Sequence, residues 1–308
     1  MTSVPPPPFR HPGSPPWRPE LPEGVTASAP LPPAQPPEPA PRDGLAAVPA
    51  WAPLAAMFSA FVVATLAFVV IGAGIEAGGG TVTADGPPGL VISATLVQDV
   101  ALIVAALLFA SFWARGVTPA AFGLRFTRFW PAVGWMAATF AVFWILTLIY
   151  LLIVGEPEEQ ELTRDLKDEE SLAALIGYGA LLAVAAPLAE EFFFRGFMFG
   201  VLRERIGPLW GAVVTATIFG LVHVIGSPIK TVVVLVILGF GLCFLVWRTG
   251  SLLPCIALHA INNSISFGAT KSLPPLAFLA VVVGCTALCV GVASIFVRRS
   301  QPAAVSTA

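Results

Sequence analysis

The feature that most constrains the fold is a succession of long apolar runs that fills the chain from residue 51 to residue 297. Charged residues make up 11% of the 308 residues, whereas soluble domains carry about 25%. A single water-soluble core could not bury this much apolar surface. We therefore predict an all-α, polytopic bundle of transmembrane helices, with the lipid bilayer as its principal partner.

The apolar runs predict about eight spans. Each run is near or above the ~20 residues that cross a bilayer, and backbone groups in lipid must be hydrogen-bonded within the segment. The runs lack the alternation of barrel strands. The alternative is seven spans, in which the sixth run enters the membrane and leaves it on the same side. The predicted spans are approximately 51–75, 89–113, 129–154, 172–200, 209–226, 231–247, 251–268 and 275–297.

The distribution of basic residues predicts the orientation. With a cytoplasmic N-terminus and eight spans, eleven of the 16 lysines and arginines fall on the cytoplasmic side and four on the other side. The acidic loop at residues 156–170 then lies outside, where the rule permits it. We predict a multi-pass plasma-membrane protein with both termini in the cytoplasm.

The first fifty residues differ from the rest of the chain. Residues 1–50 hold 17 of the 30 prolines and no apolar run, so we predict a disordered, polyproline-like cytoplasmic tail before a membrane domain at 51–300. The tail is either simply solvated or a ligand for an SH3-like or WW-like partner. The net charge of −2 provides no basic field for nucleic acid.

Polar side chains within the predicted spans mark a candidate site. A charge at the bilayer centre costs about 2.5–3.5 kcal/mol on insertion scales and is usually paired or functional. Gln98 and Asp99 either line a cavity or join helices. The intramembrane polar residues are Gln98, Asp99, Glu190, Glu191, Arg195, His223, His259, Asn262 and Asn263.

Helical spacing sorts this set. Glu191 and Arg195 are four residues apart, which predicts an ion pair on one helix face. Glu190 is rotated about 100° from its neighbour and can point elsewhere. His259 and Asn263 are again four residues apart. Counting from the predicted turns puts Glu190, the two histidines and Asn263 at similar depth.

This set of groups supports hydrolysis. A buried glutamate beside a histidine can activate water as a general base, while a second histidine and an asparagine can donate hydrogen bonds to an oxyanion. Glu, His and His are also zinc ligands. The alternatives outside enzymology are a polar network in a membrane scaffold or immunity factor, and a transporter.

Three motifs carry a resemblance to a known family. Residues 190–195 read EEFFFR, residues 219–223 read FGLVH and residues 259–263 read HAINN. These EExxxR, FxxxH and HxxxN patterns, in this order on successive helices, resemble the CPBP family, also called Abi or CAAX-protease-like. The motif-bearing region is 172–268, about a third of the chain.

The resemblance implies an intramembrane endopeptidase acting on a membrane-anchored peptide or protein, including prenylated CAAX substrates. It implies that Glu190 is the general base with His223 as its partner, and that His259 and Asn263 form the oxyanion hole. Glu191 and Arg195 would be the supporting ion pair. The family has been described both as glutamate-dependent and as zinc-dependent. We favour the mechanism without a cofactor; the zinc alternative would use Glu190, His223 and His259.

Overall fold

A computed structural model describes residues 44–82 and 87–299 of the chain. The predicted tail therefore lies, up to residue 43, outside the described residues. Within the described ranges the secondary structure is helical and no strand is present. The all-α prediction is confirmed.

The apolar runs form helices as expected for segments that must bond their own backbone in lipid. Short 3₁₀ turns occur at Gly44–Ala47 and Pro119–Phe122. Two π-helical segments, Leu181–Ala185 and Glu191–Met198, interrupt the helical run Leu172–Leu221. The α-helices of the described ranges are α1 (Ala52–Ala77), α2 (Pro88–Trp113), α3 (Phe129–Val154), α4 (Glu161–Asp168), α5 (Leu172–Ala180), α6 (Ala186–Glu190), α7 (Phe199–Leu221), α8 (Ile229–Thr249), α9 (Leu253–Thr270) and α10 (Pro275–Arg299).

Gly207 divides the longest helical run into two spans. Its backbone, at φ 81° and ψ 163°, lies in a region that only glycine adopts readily. The chain reverses there: a Cβ on Gly211 would lie 2.9 Å from the backbone nitrogen of Arg203. The rings of Phe194 and Phe219 are 5.2 Å apart, whereas a continuous helix would separate these residues by about 37 Å.

The span count is roughly that predicted. Six helical runs in the described ranges are long and apolar enough to cross a membrane. The run Leu172–Leu221 contributes two of the predicted spans because of the reversal at Gly207. The 18-residue α9 is the remaining helix of the bundle and is not among the six; it carries the histidine and both asparagines of the third motif.

Apolar side chains cover the periphery of the bundle. Phe58 on α1, Leu152 on α3 and Leu276 on α10 are 70%, 77% and 81% exposed. Soluble monomers rarely display apolar patches beyond a few hundred Å². This surface is suited to lipid, and the protein is an integral membrane protein.

The motif-bearing helices occupy the middle of the bundle. The run from α5 to α6 packs against α2, α9 and α10, and α7 packs against α8. Glycines permit the α7–α8 approach, as is common between membrane helices: a Cβ on Gly220 would lie 2.9 Å from the carbonyl oxygen of Val232, and one on Gly239 would lie 3.1 Å from Cα of Ala216.

The short helix α4 lies beside the C-terminal end of α9. Nζ of Lys271, just after α9, donates to carbonyl oxygens at the C-terminal end of α4, including those of Leu166 (3.1 Å) and Glu169 (2.9 Å). Leu166 is buried in a cluster with Tyr178 and Phe267. The predicted acidic loop is therefore partly helical and is fixed to the bundle.

Candidate functional site

The glutamate-bearing span is irregular just before its first motif. The backbone N–H of Ala186 donates to the carbonyl oxygen of Leu181, five residues back. The next donor in this register belongs to Pro187, which has no N–H. The carbonyl oxygen of Leu182 instead accepts a hydrogen bond of 2.9 Å from Nδ2 of Asn263 on α9. The first and third motifs are thus joined through a backbone carbonyl.

Glu191 links two motifs directly. Its Oε1 accepts hydrogen bonds from Nη1 of Arg195 at 2.8 Å and from Nδ1 of His259 at 2.7 Å. Nη2 of Arg195 donates to the carbonyl oxygen of Gly239 at 3.3 Å. Glu191 and Arg195 are 0% and 1% exposed, so each charge depends on the other for compensation. The structure contains the ion pair expected from the spacing and adds His259 to it.

The ring of Phe219 contacts three groups of the site. The guanidinium carbon of Arg195 lies 4.3 Å from its centroid, a cation–π distance. The rings of His223 and His259 lie 5.1 Å and 6.1 Å from it, both edge-on. The phenylalanine of the second motif therefore fixes the relative positions of the cation and both imidazoles.

His223 lies beyond the end of its helix. Helix α7 ends at Leu221, so the predicted span 209–226 is too long. His223 lies in the turn after the helix, whereas the sequence predicted it within the helical span. The turn is closed by a bond from its backbone N–H to the carbonyl of Gly220 at 3.1 Å. Nδ1 lies 2.7 Å from the carbonyl oxygen of Phe219. A carbonyl only accepts, so Nδ1 carries the proton and Nε2 remains available.

His259 is 3% exposed and faces both glutamates. Its Nδ1 donates to Glu191, because an ionised carboxylate only accepts. Its Nε2 lies 3.8 Å from Oε2 of Glu190. That separation is too long for a direct hydrogen bond, and a water molecule beside the two atoms can hydrogen-bond to both. In both histidines of the described residues, Nδ1 is held by a hydrogen bond that fixes the orientation of the ring. Nε2 is therefore the nitrogen that can contact a substrate or water.

Asn263 is held at both ends of its carboxamide. One N–H of Nδ2 donates to Leu182, and Oδ1 accepts from Nδ2 of Asn262 at 3.4 Å. The amide has a second N–H, which neither contact uses. The pair His259 and Asn263 lies one turn apart on α9, as the spacing predicted.

The two adjacent glutamates differ in environment. The side chain of Glu190 is 16% exposed and that of Glu191 is 0% exposed. Glu191 is committed to Arg195 and His259, whereas Glu190 has the longer 3.8 Å approach to Nε2 of His259. Glu190 is therefore the carboxylate that remains able to contact a small molecule.

Gln98 and Asp99, which are neighbours on α2, face different parts of the protein. Asp99 is 4% exposed, its Oδ2 has no hydrogen-bond partner, and it interacts electrostatically with Glu190. Gln98 lines a pocket between α1 and α2 together with Phe61 and Thr65. Of the two residues whose role the sequence left open, Asp99 is the one beside the site.

The proposed zinc ligands do not fit a metal site. Glu190, His223 and His259 were the candidate set, but in the described part of the chain no group of three or more His, Cys, Asp or Glu side chains is close enough to hold a metal ion. Oε2 of Glu190 and Nε2 of His259 lie 3.8 Å apart.

Sequence reasoning missed Pro187. Its signal was present, because a proline inside a predicted span removes a backbone donor and distorts the helix. The sequence does not reveal that Asn263 supplies the hydrogen bond that the missing backbone donor leaves unmade. The roles of the motif residues themselves stay predictions.

Comparison with known proteins finds that the motif region is similar to a known family. Residues 172–265 match the family model described as type II CAAX prenyl endopeptidase Rce1-like. The chain is also 27% identical over 135 residues to the "Putative membrane peptidase YdiL" of Bacillus subtilis (strain 168). That alignment covers 44% of this chain and 53% of the relative, so the chain spans about half the length of the curated relative it matches.

No solved structure gave a significant match. The family match begins at the start of α5 and ends within α9, so it contains all three motifs. The predicted resemblance to the CPBP family of CAAX-protease-like proteins is therefore confirmed over residues 172–265 of this helical membrane protein.

Proposed function

We propose that this protein is an intramembrane endopeptidase that hydrolyses peptide bonds of membrane-associated substrates. The observation that carries the proposal is the 3.8 Å separation between Oε2 of Glu190 and Nε2 of His259. One water molecule, lying beside the line that joins these atoms, can hydrogen-bond to both, and the hydrogen bond from Nδ1 to Glu191 fixes the direction of the imidazole. The family match and the peptidase relative support the same class of activity.

Glu190 acts as the general base. It is the less buried glutamate and is not tied to Arg195, so it is free to take a proton from water and return it to the leaving amine. His223 assists with its Nε2, because Nδ1 is occupied by the carbonyl of Phe219. General-base catalysis of this kind contributes about 10²–10⁴-fold.

His259 and Asn263 stabilise the oxyanion of the tetrahedral intermediate. Asn263 contributes the N–H that Leu182 does not use. Nδ1–H of His259 is engaged by Glu191, so Nε2 is the atom of this ring that donates to the oxyanion when it carries a proton. Removing one such donor costs about 10²–10³-fold in the enzymes where it has been measured.

The substrates we propose are membrane-anchored peptides or proteins, including prenylated ones with a CAAX-type sequence. The support is the family description and the lipid-facing periphery of the bundle. We further propose residence in the plasma membrane with both termini cytoplasmic, on the basis of the arginine distribution along the chain. Reporter fusions at each terminus test this orientation.

The test of the activity is cleavage in H₂¹⁸O by purified protein in lipid vesicles. Membrane-anchored peptides of one sequence, prenylated and unprenylated, are supplied, and products are identified by mass spectrometry. Hydrolysis places one ¹⁸O in each new C-terminal carboxylate, and Glu190→Gln abolishes it. No cleavage of either peptide by folded wild type, with solute movement that depends on Glu190, would indicate a transporter; neither activity would indicate a scaffold or immunity factor.

A further inference from the structure

The carbonyl oxygen of Leu182 has no backbone hydrogen-bond donor because residue 187, five positions later in the chain, is a proline. The π-helical register has Ala186 bonded to Leu181, so the N–H that would follow on Leu182 belongs to position 187. Pro187 has none. A backbone carbonyl within the membrane requires a hydrogen-bond partner, and Nδ2 of Asn263 supplies it at 2.9 Å.

We propose that Pro187 is a positioning residue for Asn263. By withholding a backbone donor it leaves the Leu182 carbonyl to hold one N–H of the carboxamide, which directs the other N–H of Nδ2 toward the substrate oxygen. This inference rests on the proposed function, because the orientation matters for chemistry only if Asn263 binds an oxyanion. The hydrogen bond from Nδ2 of Asn262 to Oδ1 of Asn263, at 3.4 Å, favours the same orientation of the carboxamide.

The chain contains a matched control. In α-helical register Pro187 also fails to provide a donor for the carbonyl of Ala183, and Sγ of Cys289 on α10 approaches that oxygen at 3.4 Å. The same proline therefore leaves two carbonyls for side chains of neighbouring helices. One is bonded by a motif residue and the other by a buried thiol outside all three motifs.

Hydrogen exchange tests the orientation without any assay of activity. Asn262 and Asn263 are the two asparagines of the chain, so protein labelled with ¹⁵N-asparagine in nanodiscs gives two side-chain amide groups, assigned with Asn263→Ala. We expect slow exchange for the Asn263 amide in wild type. Pro187→Ala restores the backbone donor, shifts that signal and speeds its exchange, while Cys289→Ala leaves it unchanged. Fast exchange in wild type, or no effect of Pro187→Ala, would overturn the inference.

Kinetics then tests whether Pro187 acts through Asn263. We expect Pro187→Ala to lower kcat on the order of tenfold with little change in KM, which is less than the ~10²–10³-fold expected for losing the donor altogether. Cys289→Ala keeps wild-type kinetics. Because the effect passes through the carboxamide, Asn263→Ala and the double variant should have equal kcat. A further loss in the double variant would show a general structural role and contradict the proposal.

Failures of the two proposals are distinguishable. If wild type cleaves no peptide, the proposed function fails while the exchange measurement still decides the contact between Pro187 and Asn263. If wild type cleaves and Pro187→Ala is fully active, the inference alone fails. Pro187→Val also supplies an N–H with a similar side-chain volume and replaces Pro187→Ala if that variant does not fold; the exchange rate in wild type requires no variant at position 187.

Discussion

Nδ1 of His259 donates a hydrogen bond of 2.7 Å to Oε1 of Glu191, which joins α9 to the π-helical segment Glu191–Met198. The same oxygen accepts from Arg195. The carboxylate therefore has two functions: it balances a buried cation and it fixes which nitrogen of the imidazole faces Glu190. One side chain thus contributes both to the compensation of a buried charge and to the geometry of the site.

The first prediction concerns the buried ion pair. Arg195→Met leaves Glu191 buried without its cation, and breaking a buried pair in this way costs about 3–5 kcal/mol. The free energy of unfolding in detergent should fall by that amount. The control is Arg203→Met, because the pair of Arg203 with Glu204 is partly exposed and such pairs contribute about 0–1 kcal/mol. Equal stability of the two variants would show that Glu191 does not require Arg195.

The fold and part of the site could be predicted because they depend on local rules. Bilayer thickness gives the span lengths, and four-residue spacing within one helix places Arg195 beside Glu191 and Asn263 beside His259. Such rules describe neighbours on one helix. The contact between Glu191 and His259 joins residues 68 positions apart, so it depends on how α9 packs, which no spacing encodes.

The misplaced His223 has a similar explanation. The predicted span assumed a continuous helix to residue 226, but α7 ends at Leu221. Nδ1 of His223 is instead held by the carbonyl oxygen of Phe219 in the turn that follows. The π-helical segments were also not predicted. Each inserts a residue into the helical register, and the bonding that stabilises the first one comes from Asn263 on another helix.

The second prediction concerns the close approach of α7 and α8. A Cβ at Gly220 would lie 2.9 Å from the carbonyl oxygen of Val232 and would also overlap Val236. Gly220→Ala should therefore separate the helices and destabilise the protein by about 1–3 kcal/mol. Gly134→Ala on α3 is the control, since a Cβ there meets nothing within 4 Å. Thermal unfolding in detergent measures both; an unchanged midpoint for Gly220→Ala would contradict the packing described.

The third prediction concerns α4. Lys271→Met removes the ammonium group that binds carbonyls at the C-terminal end of this helix. We expect faster proteolytic cleavage within residues 156–171 of the variant in vesicles. Lys167→Met is the control, because Lys167 pairs with Glu159 and is half exposed, and pairs of that kind contribute little. Identical digestion of wild type and Lys271→Met would show that other contacts suffice to fix α4.

The fourth prediction concerns metals. Because the candidate ligands Glu190, His223 and His259 do not form a group that could hold an ion, peptide cleavage should persist after treatment with a zinc chelator. Product formation is measured before and after the treatment, and again after zinc is added back. Loss of cleavage that zinc restores would favour the metal-dependent alternative.

The most direct test of the central claim is peptide release from native membranes carrying wild type or Glu190→Gln. Glu204→Gln serves as the control, since Glu204 is an exposed glutamate on α7 paired with Arg203. New N-termini are identified by mass spectrometry, with the amount and insertion of each variant verified. The account predicts a set of cleavage products made by wild type and by Glu204→Gln and absent with Glu190→Gln. Identical products from all three would contradict a role for Glu190 as the base of an intramembrane protease.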